Sequence, residues 1–144
     1  MAELTKSPAD NRLYKYFTLD SGMRCLLVED PEADKCAAAL DVGVGSALDP
    51  KPLYGTAHFL EHMLFQGNEK YPDEKEYSEY MSNNGGYNNA YTSMINTNFH
   101  FECSNDGFEG GLDRLAQFFI SPAFSVDSAE SEVNAVDSEF NMAC

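Results

Sequence analysis

His58 and His62, with Glu61 between them, are the residues of this chain whose types and spacing could do chemistry. The run His58-Phe59-Leu60-Glu61-His62 reads H-x-x-E-H, an ordering found among catalytic metal motifs. On a helix the two imidazoles stand one turn apart on the same face, where both can hold one metal ion. Glu61 is displaced from His58 by about 60° around the helix axis and from His62 by about 100°. It stays on the metal side without lining up with the ligands, a suitable place for a carboxylate that takes a proton from an activated water.

Two histidines do not complete a catalytic zinc site, which normally has three protein ligands and a water. The third ligand has to come from another element facing the same cleft. Glu132 and Glu139 lie seven residues apart, and so on nearly one face of a helix. Val133, Val136 and Phe140 form a neighbouring apolar stripe that would pack this helix inward. The two carboxylates suit a ligand and a group that orients a ligand histidine; the spacing leaves open which is which. Taken alone, they also read as an ordinary exposed helix face. His100 reads as an isolated surface residue on a strand. Tyr77, Tyr80 and Met81 read as core packing, and Asp30, Asp41 and Asp49 as turn or strand-end residues rather than ligands.

Several elements must position these groups. Tyr14 to Asp20 and Met23 to Glu29 read as a hairpin turning at Ser21-Gly22. Lys35 to Gly43 reads as a buried strand, although its alanines alone would permit a helix. Gly43, Gly45, Asp49, Pro50 and Pro52 mark a loop. Gly55 to Gln66 reads as a largely buried helix with Gly67 as its stop. Asp73 and Glu76 have capping-box spacing for a helix that ends near Asn83. Tyr87 to Ser93 and Asn96 to Cys103 read as strands, the second alternating Thr97, Phe99, Phe101 and Cys103 with polar residues. Helices follow from Asp106 to Ile120 and from about Asp127 to the end. Strands that pair locally, with helices grouped between them, indicate an α+β fold with a mainly antiparallel sheet and packed helices.

Composition narrows the function. The 144 residues are about one domain, expected as a polar tail over 1–13 and a folded portion over 14–144. Nine basic residues against 24 acidic ones give a net charge of −15, which disfavours nucleic acid as a partner, since phosphate contacts need a basic patch. No apolar run approaches membrane-spanning length, and the N-terminus carries no secretory signal pattern. The four cysteines, Cys25, Cys36, Cys103 and Cys144, form no C-x-x-C pair. They are expected as free thiols, with a Cys25–Cys36 pairing left open, and the chain is expected in the cytoplasm.

The segment from Gly55 to Phe65 resembles the signature of the insulinase (pitrilysin) family of zinc metallopeptidases. Asp41 to Ser46 resembles the strand before that signature, Asn89-Ala90-Tyr91-Thr92-Ser93 its substrate-edge strand, and Glu132 to Glu139 its distal helix. The likeness runs from about Tyr14 to Phe140 and is greatest to the insulin-degrading-enzyme branch. It implies a partial insulinase-type peptidase domain holding Zn2+ through His58, His62 and Glu139. It further implies Glu61 as general base, Glu132 as the carboxylate that orients a ligand histidine, and Asn89, Ala90 and Tyr91 as contacts to an extended peptide substrate.

Family members are much longer and are built from paired halves. The chain is therefore expected to represent a truncated N-terminal catalytic portion of a zinc metalloendopeptidase. It would act on oligopeptides or small polypeptides, with a partner chain or a missing C-terminal half supplying the rest. Two alternatives stand beside this: a catalytically incomplete zinc- or peptide-binding module acting through a partner chain, and an incomplete gene model or cloned fragment.

Overall fold

The computed structural model describes residues 5–143; the expectations for residues 1–4 and for the Cys144 thiol lie outside them. The chain divides into two compact units, Met1–Asp34 and Lys35–Cys144.

The first unit is a hairpin of β1 (Leu13–Thr18) and β2 (Arg24–Glu29), antiparallel with Leu13 opposite Glu29 and Thr18 opposite Arg24. Its strands stop short of the expected Ser21-Gly22 tight turn. Leu19 N–H donates to the Met23 carbonyl at 2.9 Å, closing a three-residue loop in which Gly22 has φ 87°. A left-handed residue at the end of such a loop is where glycine is favoured.

The second unit has a three-stranded antiparallel sheet in the order β3-β5-β4, with β3 at Lys35–Val42, β4 at Tyr87–Thr92 and β5 at Thr97–Ser104. Its helices are α1 (Thr56–Leu64), α2 (Glu76–Asn83), α3 (Phe108–Ile120) and α4 (Val126–Ala143). This is the expected α+β arrangement in the expected element order. The alanine-rich stretch is strand β3. β5 is buried at every second residue, as its alternation demands. It lies between β3 and β4, which leaves β4 as an edge strand.

Leu64, Tyr77, Met81, Phe99, Phe101, Cys103, Leu115 and Phe118 form the core. Phe118 stands edge-on to Phe65 and Tyr77, with ring centroids 5.0 and 5.1 Å away, a favoured aromatic geometry. Burial pushes the Tyr77 phenol and the Cys103 thiol above their ordinary pKa values, with a smaller push on each from a neighbouring thiol. Tyr80 is half-buried; its hydroxyl donates to the Gly107 carbonyl at 3.1 Å and Arg114 lies over its ring. Gly111 lets α3 approach this core: a Cβ there would meet Met81 at 2.7 Å and Phe101 at 2.9 Å. Phe118→Ala should destabilise the chain by about 3–5 kcal/mol, the usual cost of emptying a buried aromatic site; urea unfolding of the variant checks this.

One helix start differs from expectation, and α4 starts at Val126, near the expected Asp127. The Asp73 side chain accepts the Lys75 N–H at 2.9 Å, but Glu76 does not close the box. Its carboxylate instead takes a two-oxygen contact from Arg114 of α3, at 2.9 and 3.0 Å from Nε. At α4 the Ser125 hydroxyl accepts the Ser128 N–H at 3.0 Å. Ser125 therefore supplies the side-chain oxygen for the first turn, just ahead of Asp127.

Candidate metal centre

α1 owes its start to a residue outside it. Gly55, with φ 91°, precedes the helix, and Asp49 accepts the N–H groups of Gly55 and Ala57 at 2.7 and 2.9 Å. A carboxylate there satisfies otherwise unpaired donors and favours the helix dipole. Asp49 is thus a loop residue with a capping task, and the helix it anchors carries His58, Glu61 and His62.

The two histidines converge as their spacing requires. Their Nε2 atoms lie 3.2 Å apart. Glu139 of α4 brings Oε2 to 3.3 Å from His58 Nε2 and 3.6 Å from His62 Nε2. These three edges are nearly equal. Zinc bond lengths of about 2.0–2.1 Å in a tetrahedral site put ligand atoms about 3.3 Å apart, so the donor set fits that ion. Among the described residues, this is the group of three metal-ligating side chains that comes together.

Glu132, one heptad before Glu139, accepts from His62 Nδ1 at 2.8 Å. A proton on Nδ1 leaves the Nε2 lone pair free for a metal, which is the usual task of a carboxylate behind a ligand histidine. Glu139 thus stands with the two Nε2 atoms, and Glu132 on the far side of the His62 ring.

Glu61 is only 8% exposed although it is a carboxylate. Its Oε2 accepts a 2.5 Å hydrogen bond from the Thr92 hydroxyl at the end of β4. Thr92 Oγ1 is also 3.3 Å from Thr97 Oγ1, and the Thr97 hydroxyl is 3.0 Å from the Val44 carbonyl. A buried carboxylate needs such a donor. With one oxygen held by Thr92, the other is available to a proton donor in the cleft.

Asn89, Ala90 and Tyr91 lie along β4 and line the same open cleft as His58, His62 and Glu139. Their side chains do not share one direction. Ala90 packs toward the core, whereas Asn89 and Tyr91 are exposed on the other face, Tyr91 with its ring 6.5 Å from that of His100. What β4 offers the cleft is chiefly a backbone edge. His100 is half-buried there, with Nδ1 3.1 Å from Asn98 Oδ1, and stands apart from the ligand triangle.

Sequence reasoning missed two residues of the site. Thr92 is on the Ala90 side of the β4 alternation, which points it inward to the buried Glu61. Gln66 lies four residues after His62 and donates to Glu132 Oε1 at 3.0 Å; its signal was that spacing. Cys25, Cys36 and Cys103 are free. No helix among the described residues is long and apolar enough to cross a membrane.

The family model for insulinase, peptidase family M16, matches residues 24–143. The chain is 52% identical to insulin-degrading enzyme-like 2 of Arabidopsis thaliana over 137 residues, covering 95% of this chain and 14% of that protein. It is 51% identical to human insulin-degrading enzyme over 136 residues, covering 94% of this chain and 13% of the relative. The crystal structure of pitrilysin superimposes with a TM-score of 0.92 at 45% identity, over 96% of this chain and 15% of that one. The chain thus spans about one-seventh of the length of these relatives. On the match across most of its residues, in sequence and in fold, the chain belongs to the insulinase family, peptidase family M16.

Proposed function

We propose that this chain carries the zinc-binding catalytic portion of a metalloendopeptidase that hydrolyses peptide bonds of oligopeptides or small polypeptides. The observation that supports it most is the near-equilateral triangle of His58 Nε2, His62 Nε2 and Glu139 Oε2 beside the buried Glu61. Held by these three side chains, zinc supplies Lewis acidity toward a water and a carbonyl oxygen.

The remaining work falls to the chain's own groups. Glu61 accepts the proton of the attacking water and later delivers it to the leaving amine. Thr92 keeps the Glu61 carboxylate from swinging away from the cleft. Glu132 holds His62 in the tautomer that presents Nε2. An extended peptide pairs with the free edge of β4 near Asn89, Ala90 and Tyr91, where backbone hydrogen bonds supply affinity with little sequence demand. The proposed functional portion spans residues 14–144, and its proposed setting is the cytoplasm.

A second reading is a binding module that holds zinc or peptide and acts through a partner chain. One observation favours it: Val133 and Phe140, expected to pack α4 inward, are instead 55% and 67% exposed, apolar surface of the kind that partners cover. Hydrolysis of an internally quenched peptide by the purified chain, with and without chelator, separates the two. Chelator-sensitive cleavage is the result expected of the peptidase. One equivalent of bound zinc without turnover supports the binding module.

A further inference from the structure

We infer that Gln66 is a positioning residue of the metal centre: its side-chain amide holds the Glu132 carboxylate toward His62 and so raises the affinity of the site for zinc. The inference rests on the zinc reading above. His58, His62 and Gln66 are spaced four and four residues apart, which continues the metal-facing stripe of α1 by one further turn. Gln66 lies just past Phe65, where the helix closes with three-residue bonds. Phe65 N–H donates to the His62 carbonyl at 3.1 Å and Gln66 N–H to the Met63 carbonyl at 3.2 Å. Gly67 then turns the chain at φ 90°, and a Cβ there would meet the Pro72 carbonyl oxygen at 2.7 Å. The backbone that presents Gln66 is therefore held on both sides.

Glu132 has only 16% of its side chain exposed, and its oxygens are engaged by His62 of α1 and by Gln66 just past the end of that helix. Oε2 takes the His62 contact at 2.8 Å and Oε1 takes the Gln66 amide at 3.0 Å. The terminal torsion of a glutamate is broad, so a single contact to His62 would leave the carboxylate plane poorly defined. The second contact fixes that plane. Without it, Oε1 loses its donor in a half-buried position. The carboxylate then gains freedom to leave Nδ1, and His62 to place its proton on Nε2, where no metal can bind. Gln66 thus acts on zinc through Glu132, with no contact to the ion.

The test is competition of the chain with a chromophoric chelator for zinc, comparing wild type with Gln66→Leu, Gln66→Glu, Glu132→Ala and Gln66→Leu/Glu132→Ala. Gln66→Leu should weaken zinc binding by about tenfold, the lower end of the range for partners behind a metal ligand. Gln66→Glu keeps the shape but removes the donor and sets a like charge against Oε1, so it should weaken binding at least as much. In the Glu132→Ala background, Gln66→Leu should have no further effect. Unchanged affinity in both single Gln66 variants, or additive losses in the double variant, overturns the inference while leaving the zinc reading intact. Failure of the wild type to bind zinc overturns both.

Discussion

Glu61→Gln is expected to keep zinc binding unchanged and to lower peptide hydrolysis by about 10²–10⁴-fold, the usual contribution of a positioned general acid–base group. The substitution retains the size of a side chain that is 8% exposed, so the packing of α1 should survive. The glutamine carbonyl can still accept the Thr92 hydroxyl, as Glu61 Oε2 does at 2.5 Å. None of the three converging ligand atoms belongs to Glu61. What is lost is basicity: an amide does not accept the proton of an attacking water at neutral pH. Initial rates on a quenched peptide, set beside the zinc content of the same preparation, check both halves of the expectation. A variant within severalfold of wild-type turnover would rule out Glu61 as the base.

Glu139→Ala should have the largest effect on zinc itself. Partners behind a ligand are worth about 10–100-fold in metal affinity, so removing a direct, anionic ligand should cost more than about a hundredfold. The two histidines that remain, with Nε2 atoms 3.2 Å apart, supply two of the three protein ligands a catalytic zinc site uses. The fold should hardly notice. The Glu139 side chain is 48% exposed, and exposed substitutions of this kind stay within about 0.5 kcal/mol. The combination is diagnostic: zinc affinity collapses while the melting temperature of the metal-free chain stays in place. A loss no greater than that of Glu132→Ala would reverse the roles given to the two carboxylates.

Much of this site was legible because its spacing is local. His58, Glu61 and His62 belong to one helix, and helical periodicity alone brings the imidazoles together. Glu132 and Glu139 likewise share a face of α4 by their seven-residue separation. The resemblance to the insulinase family proposes separate roles for them; in the structure Glu139 lies beside both Nε2 atoms and Glu132 beside His62 Nδ1. β5 announced itself by strict alternation, since a strand with one buried face must alternate.

What escaped was set by contacts distant in sequence. The capping box expected at Asp73 failed because the Glu76 carboxylate goes to Arg114, 38 residues away, and no local pattern contains that bond. Asp49 looked like a loop residue, and its link to the start of α1 needed the fold to appear. Thr92 and Gln66 are ordinary polar residues whose importance lies in the carboxylates they meet, Glu61 and Glu132. Asn89 and Tyr91 were placed on the right strand, but their side chains face away from Ala90 because neighbours on a strand alternate.

The proposed activity depends on a single metal centre built from α1 and α4. Crystals of the chain grown with zinc, measured at the zinc absorption edge, test it directly through an anomalous difference map. One strong peak is expected, bonded to His58 Nε2, His62 Nε2 and a Glu139 carboxylate oxygen, with Glu132 against His62 Nδ1 and outside bonding distance. No peak among these three side chains, or a peak bonded to Glu132 instead of Glu139, would contradict this expectation.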